Sequence, residues 1–151
     1  MSHCELEIMD VEVPGGRERL FTLDKANRSL VLVRRIVEDL VASYARALEL
    51  QQVAECAQLG PDYGQRRRAE HQLADAVEQL QGYLWELDEL GAELQDWRTG
   101  RVDFPARVGG RDICLSWRPG DPEVLYWHEA QDRFEQLHTI DTLPISQPQP
   151  A

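Results

Sequence analysis

The sequence predicts an α+β chain, a long antiparallel helical hairpin packed with a small three- to four-stranded antiparallel β-meander. Three observations carry that expectation. Apolar residues recur at spacings of four and three from Leu30 to Ala54 and again from Leu73 to Leu87. Leu59-Gly60-Pro61 separates the two runs, and so short a connection makes the helices antiparallel neighbours. Gly109-Gly110 then sits between short runs of alternating apolar residues, the signal of a tight β-hairpin.

Residues 1–20 read as an arm or an edge strand, with Ile8, Val11 and Val13 in near alternation ahead of Pro14-Gly15-Gly16. They carry several acids and no apolar run, so no secretory signal is expected. Ser2-His3-Cys4 would offer an amino-terminal metal site only with Met1 retained, and Met before Ser is usually removed. Residues 21–138 form one domain on this reading, followed by a proline-rich tail over 139–151.

Thr22 is placed to cap the first helix, with Asp24 in the first turn favoured by the positive end of the helix dipole. Lys25 at the third helical position removes the acid of a capping box. The seam Leu30, Val33, Val37, Leu40, Tyr44, Ala47 and Ala54 runs uninterrupted by Gly or Pro to about Gln58. Gly60 and Pro61 then stop the helix. The second helix opens at Asp62 or Tyr63 and carries Leu73, Val77, Leu80, Leu84 and Leu87. Gly91 ends it after Leu90, although Leu94 would extend the seam of a helix running to Arg98. Ala92 to Trp97 is read as the first strand, with a turn at Thr99-Gly100.

A two-residue turn at Gly109-Gly110 sets a register. Val102 faces Trp117, Phe104 faces Leu115 and Ala106 faces Ile113, giving one apolar face. The other face pairs Asp103 with Ser116, Pro105 with Cys114 and the opposite charges Arg107 and Asp112. Pro119-Gly120 makes a type II turn. An even-numbered loop there would put Val124 and Tyr126 on the apolar face, Glu123 in the row of Asp103 and Ser116, and His128 at the apolar margin. A bulge would carry His128 across. Ala130 to Leu137 could form a short amphipathic helix.

Val102-Asp-Phe-Pro-Ala-Arg107, the following turn, Trp117-Arg-Pro-Gly120 and Trp127-His-Glu129, preceded by Phe21-Thr-Leu-Asp-Lys-Ala-Asn27, resemble the DUF2203 family over roughly Leu20 to Glu129. The resemblance implies a small cytoplasmic protein built as a helical hairpin with a small sheet, with no assigned activity. The chain departs from the family's pattern at Lys25, where such sequences usually carry Glu. Its Cys114 stands three residues before Trp117, where the family tends to place Cys directly before Trp. After Glu129 the family's glycine-rich ending is replaced by Arg133-Phe-Glu-Gln-Leu-His138.

Composition narrows the function classes. A formal net charge of -11 and a pI of about 4.7 repel phosphate backbones, which argues against nucleic acid or an anionic membrane as partner. No segment approaches the roughly 20 apolar residues that span a bilayer. Cys4, Cys56 and Cys114 are odd in number without CxxC spacing, as free thiols in a reducing cytoplasm would be. Arg66-Arg67-Arg68 reads as a solvated helix face.

Two functional readings follow. The helices would be roughly 50 Å and 40 Å long, whereas three or four strands span only about 15–20 Å. Leu32, Ile36, Val41 and Trp85 lie off the seam between the helices. An apolar surface there points to a homodimer or higher oligomer, and so to a non-enzymatic, self-associating binding or assembly module. The alternative is a metal-binding protein, of which a metal-dependent enzyme is one form, centred on His128. Carboxylates from Asp103, Glu123 or Glu129 would complete a site for zinc, manganese or iron. The spacing matches no HExxH-type pattern. Cys114 lacks a nearby His in the even-loop register, which leaves it without a base. Trp97, Trp117, Trp127 and Tyr126 read as core. No phosphate loop, nucleophile elbow or dinucleotide fingerprint is present, and the residues leave any small-molecule ligand unidentified.

Overall fold

A computed structural model describes residues 20–58, 63–131 and 136–144 of the chain. Two helices, α1 (Leu23–Gln58) and α2 (Tyr63–Leu90), form an antiparallel hairpin. Five strands follow: β1 (Glu93–Leu94), β2 (Val102–Val108), β3 (Arg111–Trp117), β4 (Tyr126–Glu129) and β5 (His138–Thr139). They form one antiparallel sheet in the order β1-β2-β3-β4-β5. The architecture is α+β, with β5 added to the meander by a return of the chain after β4.

Local chemistry sets the ends of the elements. Thr22 caps α1, its Oγ1 accepting the Lys25 amide at 3.1 Å while its carbonyl accepts that of Ala26 at 2.9 Å. At the end of α2, Gly91 takes φ 92°, and the Gly91 and Ala92 amides donate to the Asp88 and Leu87 carbonyls. That closure stops the helix at Leu90, so the extension to Arg98 does not form. The Gly60-Pro61 stop and the apolar alternation at Ile8, Val11 and Val13 lie outside the described residues, as does Ser2-His3-Cys4.

β1 is shorter than the expected Ala92 to Trp97. Asp96 turns the chain instead: its Oδ1 accepts the Arg98 and Thr99 amides at 2.8 and 3.1 Å. Beyond that turn the edge of β2 is met by Phe21, whose amide donates to the Pro105 carbonyl at 2.7 Å in a parallel bridge. The β2–β3 register is the one expected, from Val102–Trp117 to Val108–Arg111. Part of the expected helix over 130–137 falls on undescribed residues, and the chain after it enters β5 at His138.

Val102, Phe104, Ala106, Ile113, Leu115 and Trp117 share one sheet face and join Leu30, Val33, Val37, Leu84 and Leu87 in one core. At the far end of the hairpin, beyond Tyr44, the buried helix residues are largely small: Ala47, Ala54, Ala69 and Ala76. Trp117 and Trp127 are buried, whereas Trp97 and Tyr126 are half-buried, Trp97 tilted against Tyr44 with ring centroids 5.4 Å apart. Among the four residues expected on an assembly surface, Leu32 and Trp85 are exposed, and Ile36 and Val41 pack partly buried against the core. Among the described residues, no helix is long and apolar enough to cross a membrane.

Candidate metal centre

The register of β4 decides which side chains meet. Ser116 pairs with Tyr126, Leu115 with Trp127, Cys114 with His128 and Ile113 with Glu129. The loop from Trp117 to Leu125 is therefore odd in pairing terms, and the even-loop register is corrected: Tyr126 and His128 share the face of Ser116 and Cys114. The cause is the segment between the turn and β4. The Asp121 amide closes the turn on the Arg118 carbonyl at 3.0 Å, and Pro122 has no amide to give to a ladder. The Val124 amide then donates to Asn27 Oδ1 of α1 at 2.7 Å, and Arg34 donates to the Asp121 and Pro122 carbonyls. Val124, fully buried, docks on the helix rather than beside β3.

This register brings His128 of β4 over the middle strand toward Asp103 of β2. Two strand spacings set their Cα atoms about 10 Å apart, and extended side chains close that gap. His128 Nε2 lies 2.8 Å from Asp103 Oδ2, with both side chains almost wholly buried. The other ring nitrogen, Nδ1, lies 2.9 Å from the backbone oxygen of Glu129. Cys114 Sγ stands beside the pair: one ligand atom from each of Asp103, Cys114 and His128 lies within 4.8 Å of the others. The second carboxylate oxygen, Asp103 Oδ1, is buried and has no hydrogen-bond partner among the described residues. Ser116, also buried, faces Asp103 in the register.

Both ring nitrogens of His128 thus face oxygen acceptors. A doubly protonated imidazolium donates to both, forming a buried ion pair with Asp103. A neutral ring that donates Nδ1–H to the Glu129 carbonyl instead turns its Nε2 lone pair toward Asp103. That second arrangement is the one a metal-ligating histidine adopts, because the backbone bond selects the tautomer and aims the free nitrogen.

The sequence-derived ligands divide. Asp103 and His128 come together. Glu123 is exposed in the loop before Val124, outside the cluster. Glu129 contributes its backbone oxygen, while its side chain belongs to the opposite sheet face and pairs with Arg111. Cys114, placed by the even-loop register away from any histidine, is the cross-strand partner of His128. The signal for it was Pro122, whose missing amide argues against a ladder directly after the turn. Glu93 sits in no motif that marks it in the sequence. It is the cross-strand partner of Asp103 on β1. Lost solvation first, then the charges of Asp103 and Asp88, hold its carboxyl above the usual carboxylate range.

Comparison with curated proteins and with solved structures finds no match to this chain. The family model of DUF2203, described as an uncharacterized conserved protein, matches residues 19–140, a span that includes Glu93, Asp103, Cys114 and His128. The chain belongs to the DUF2203 family.

Proposed function

We propose that the protein binds a divalent transition metal through Asp103, Cys114 and His128. The observation that carries this reading is the convergence of an oxygen, a sulfur and a nitrogen donor within 4.8 Å on one sheet face. Two further features support it: the Nδ1 contact to the Glu129 carbonyl, and Asp103 Oδ1, which has no hydrogen-bond partner among the described residues. A mixed O, N and S set suits zinc, and iron or manganese less well as sulfur enters the shell. Nitrogen and oxygen ligands of a tetrahedral zinc stand roughly 3.3 Å apart. The His128–Asp103 contact at 2.8 Å would therefore open by about half an ångström to admit the ion.

The test is elemental analysis of untagged protein purified without added metal, followed by zinc titration of chelator-stripped protein. At a hundredfold excess over Kd, ligand binding stabilises by about 2.7 kcal/mol, which raises Tm by about 5–10 °C for a chain of this size. Protein that carries no metal and whose Tm ignores zinc, manganese and iron leaves Asp103 and His128 as a buried ion pair alone.

A second reading rests on a different surface. Val31 and Leu32 on α1 are 69% and 53% exposed, and Trp85 on α2 is 43% exposed. We infer self-association through these faces, a homodimer being the simplest form. Light scattering across a range of concentrations decides it, a constant monomer mass ruling it out. The odd number of cysteines, with no CxxC spacing, favours a reducing cytoplasm as its compartment.

A further inference from the structure

We propose that Glu93 is the outer, fourth ligand of this site, so that the complete donor set is two carboxylates, one imidazole and one thiolate around a zinc-type divalent ion. The inference rests on the metal-binding reading and deepens it.

Glu93 and Asp103 are directly paired across β1 and β2, so their side chains leave the same face of the sheet. Directly opposed Cβ atoms stand about 4.5–5.5 Å apart, close enough for two carboxylates to share one ion. Without an ion the pairing is unfavourable, because like charges directly opposite destabilise a sheet. Asp103 Oδ1, buried and unpartnered among the described residues, is a second observation that points to a missing positive partner. A divalent cation answers both at once.

Burial runs in a gradient across the site. Asp103 and His128 are 1% and 3% exposed, Cys114 is half-buried and Glu93 is exposed. The inner donors are thus held by the sheet, and Glu93, on a two-residue edge strand, stands at the solvent side. An ion would enter there, and Glu93 would close over it. Four protein ligands around zinc make a closed site, whereas three leave one position to water.

The test compares wild type with Glu93→Gln, a neutral change of similar shape at an exposed edge position that leaves the core intact. Chelator-stripped protein is titrated with zinc in competition with a chromophoric chelator. The expected result is an affinity about 10–100-fold weaker in Glu93→Gln. Cobalt(II) provides the second readout: thiolate-to-cobalt charge transfer should persist in both proteins, while the visible ligand-field bands change in Glu93→Gln. Equal or tighter zinc binding by Glu93→Gln with an unchanged cobalt spectrum overturns the role of Glu93 and leaves the three-ligand site standing. A wild-type protein that takes up neither zinc nor cobalt overturns both.

Discussion

Oδ1 of Asn27, in the second turn of α1, accepts the backbone amide of Val124 at 2.7 Å across 97 residues of sequence. One side chain thereby holds the connection before β4 on the helix and so sets which face His128 occupies. Asn27→Ala should leave that amide without its acceptor and cost about 1–3 kcal/mol. Asn27→Asp, which keeps an acceptor, should cost less. Urea unfolding measures the difference. Zinc affinity should fall in Asn27→Ala as His128 loses its fixed position; unchanged affinity would show that β4 holds its register without the helix.

His128→Ala leaves Asp103 buried without its hydrogen-bond partner. Removing one member of a buried pair typically costs about 3–5 kcal/mol. The double variant Asp103→Asn/His128→Gln should cost less than the sum of the single changes, because neither partner is then left charged. Both are read by urea unfolding in the presence of a chelator, which separates the ion pair from any metal. A loss below about 1 kcal/mol for His128→Ala would be out of keeping with a desolvated pair.

Two acids near β1 should shift stability with pH in opposite senses. Burial pushes Asp96 up, but the Thr99 and Arg98 amides, the Thr99 hydroxyl and Arg101 outweigh it and hold the carboxyl below the ordinary aspartate value of 3.8. Its contribution is therefore present above that value and lost as pH falls through the lower, folded-state pKa. Asp96→Asn should be less stable than wild type at neutral pH, with the gap closing in strong acid. Glu93 is held above 4.5, so its contribution is present below that value and lost as pH rises through the folded-state pKa. Glu93→Gln in chelator should match or exceed wild type at neutral pH and lose that advantage on acidification. Chemical denaturation across the acid range checks both signs.

Gly100 lies where the chain turns against α1, with φ 83°. A Cβ there would fall 2.5 Å from Val37 Cγ1 and 3.0 Å from both Val41 Cγ2 and Pro119 Cγ. Gly100→Ala should cost about 1–3 kcal/mol from overpacking, with left-handed backbone strain adding to it. Thermal unfolding measures the loss. Gly110→Ala meets no atom within 4 Å at a φ of 77°, so it reports the backbone cost without the clash and should lose less.

The hairpin of helices, their caps at Thr22 and Gly91, and the β2–β3 register were legible in the residues themselves. Each rests on a local rule: an N-cap oxygen, a glycine free to take positive φ, or a two-residue turn whose parity places every later side chain. Asp103 on the polar face opposite Ser116 followed from that parity alone. The meeting of His128 with Asp103 and Cys114 did not. It depends on how many residues the chain spends between β3 and β4, and that number is set by Asn27 and Arg34 binding a distant loop to α1. Periodicity carries face assignment only within an unbroken ladder; once Pro122 interrupts pairing, a contact made by another element decides which way the next strand faces.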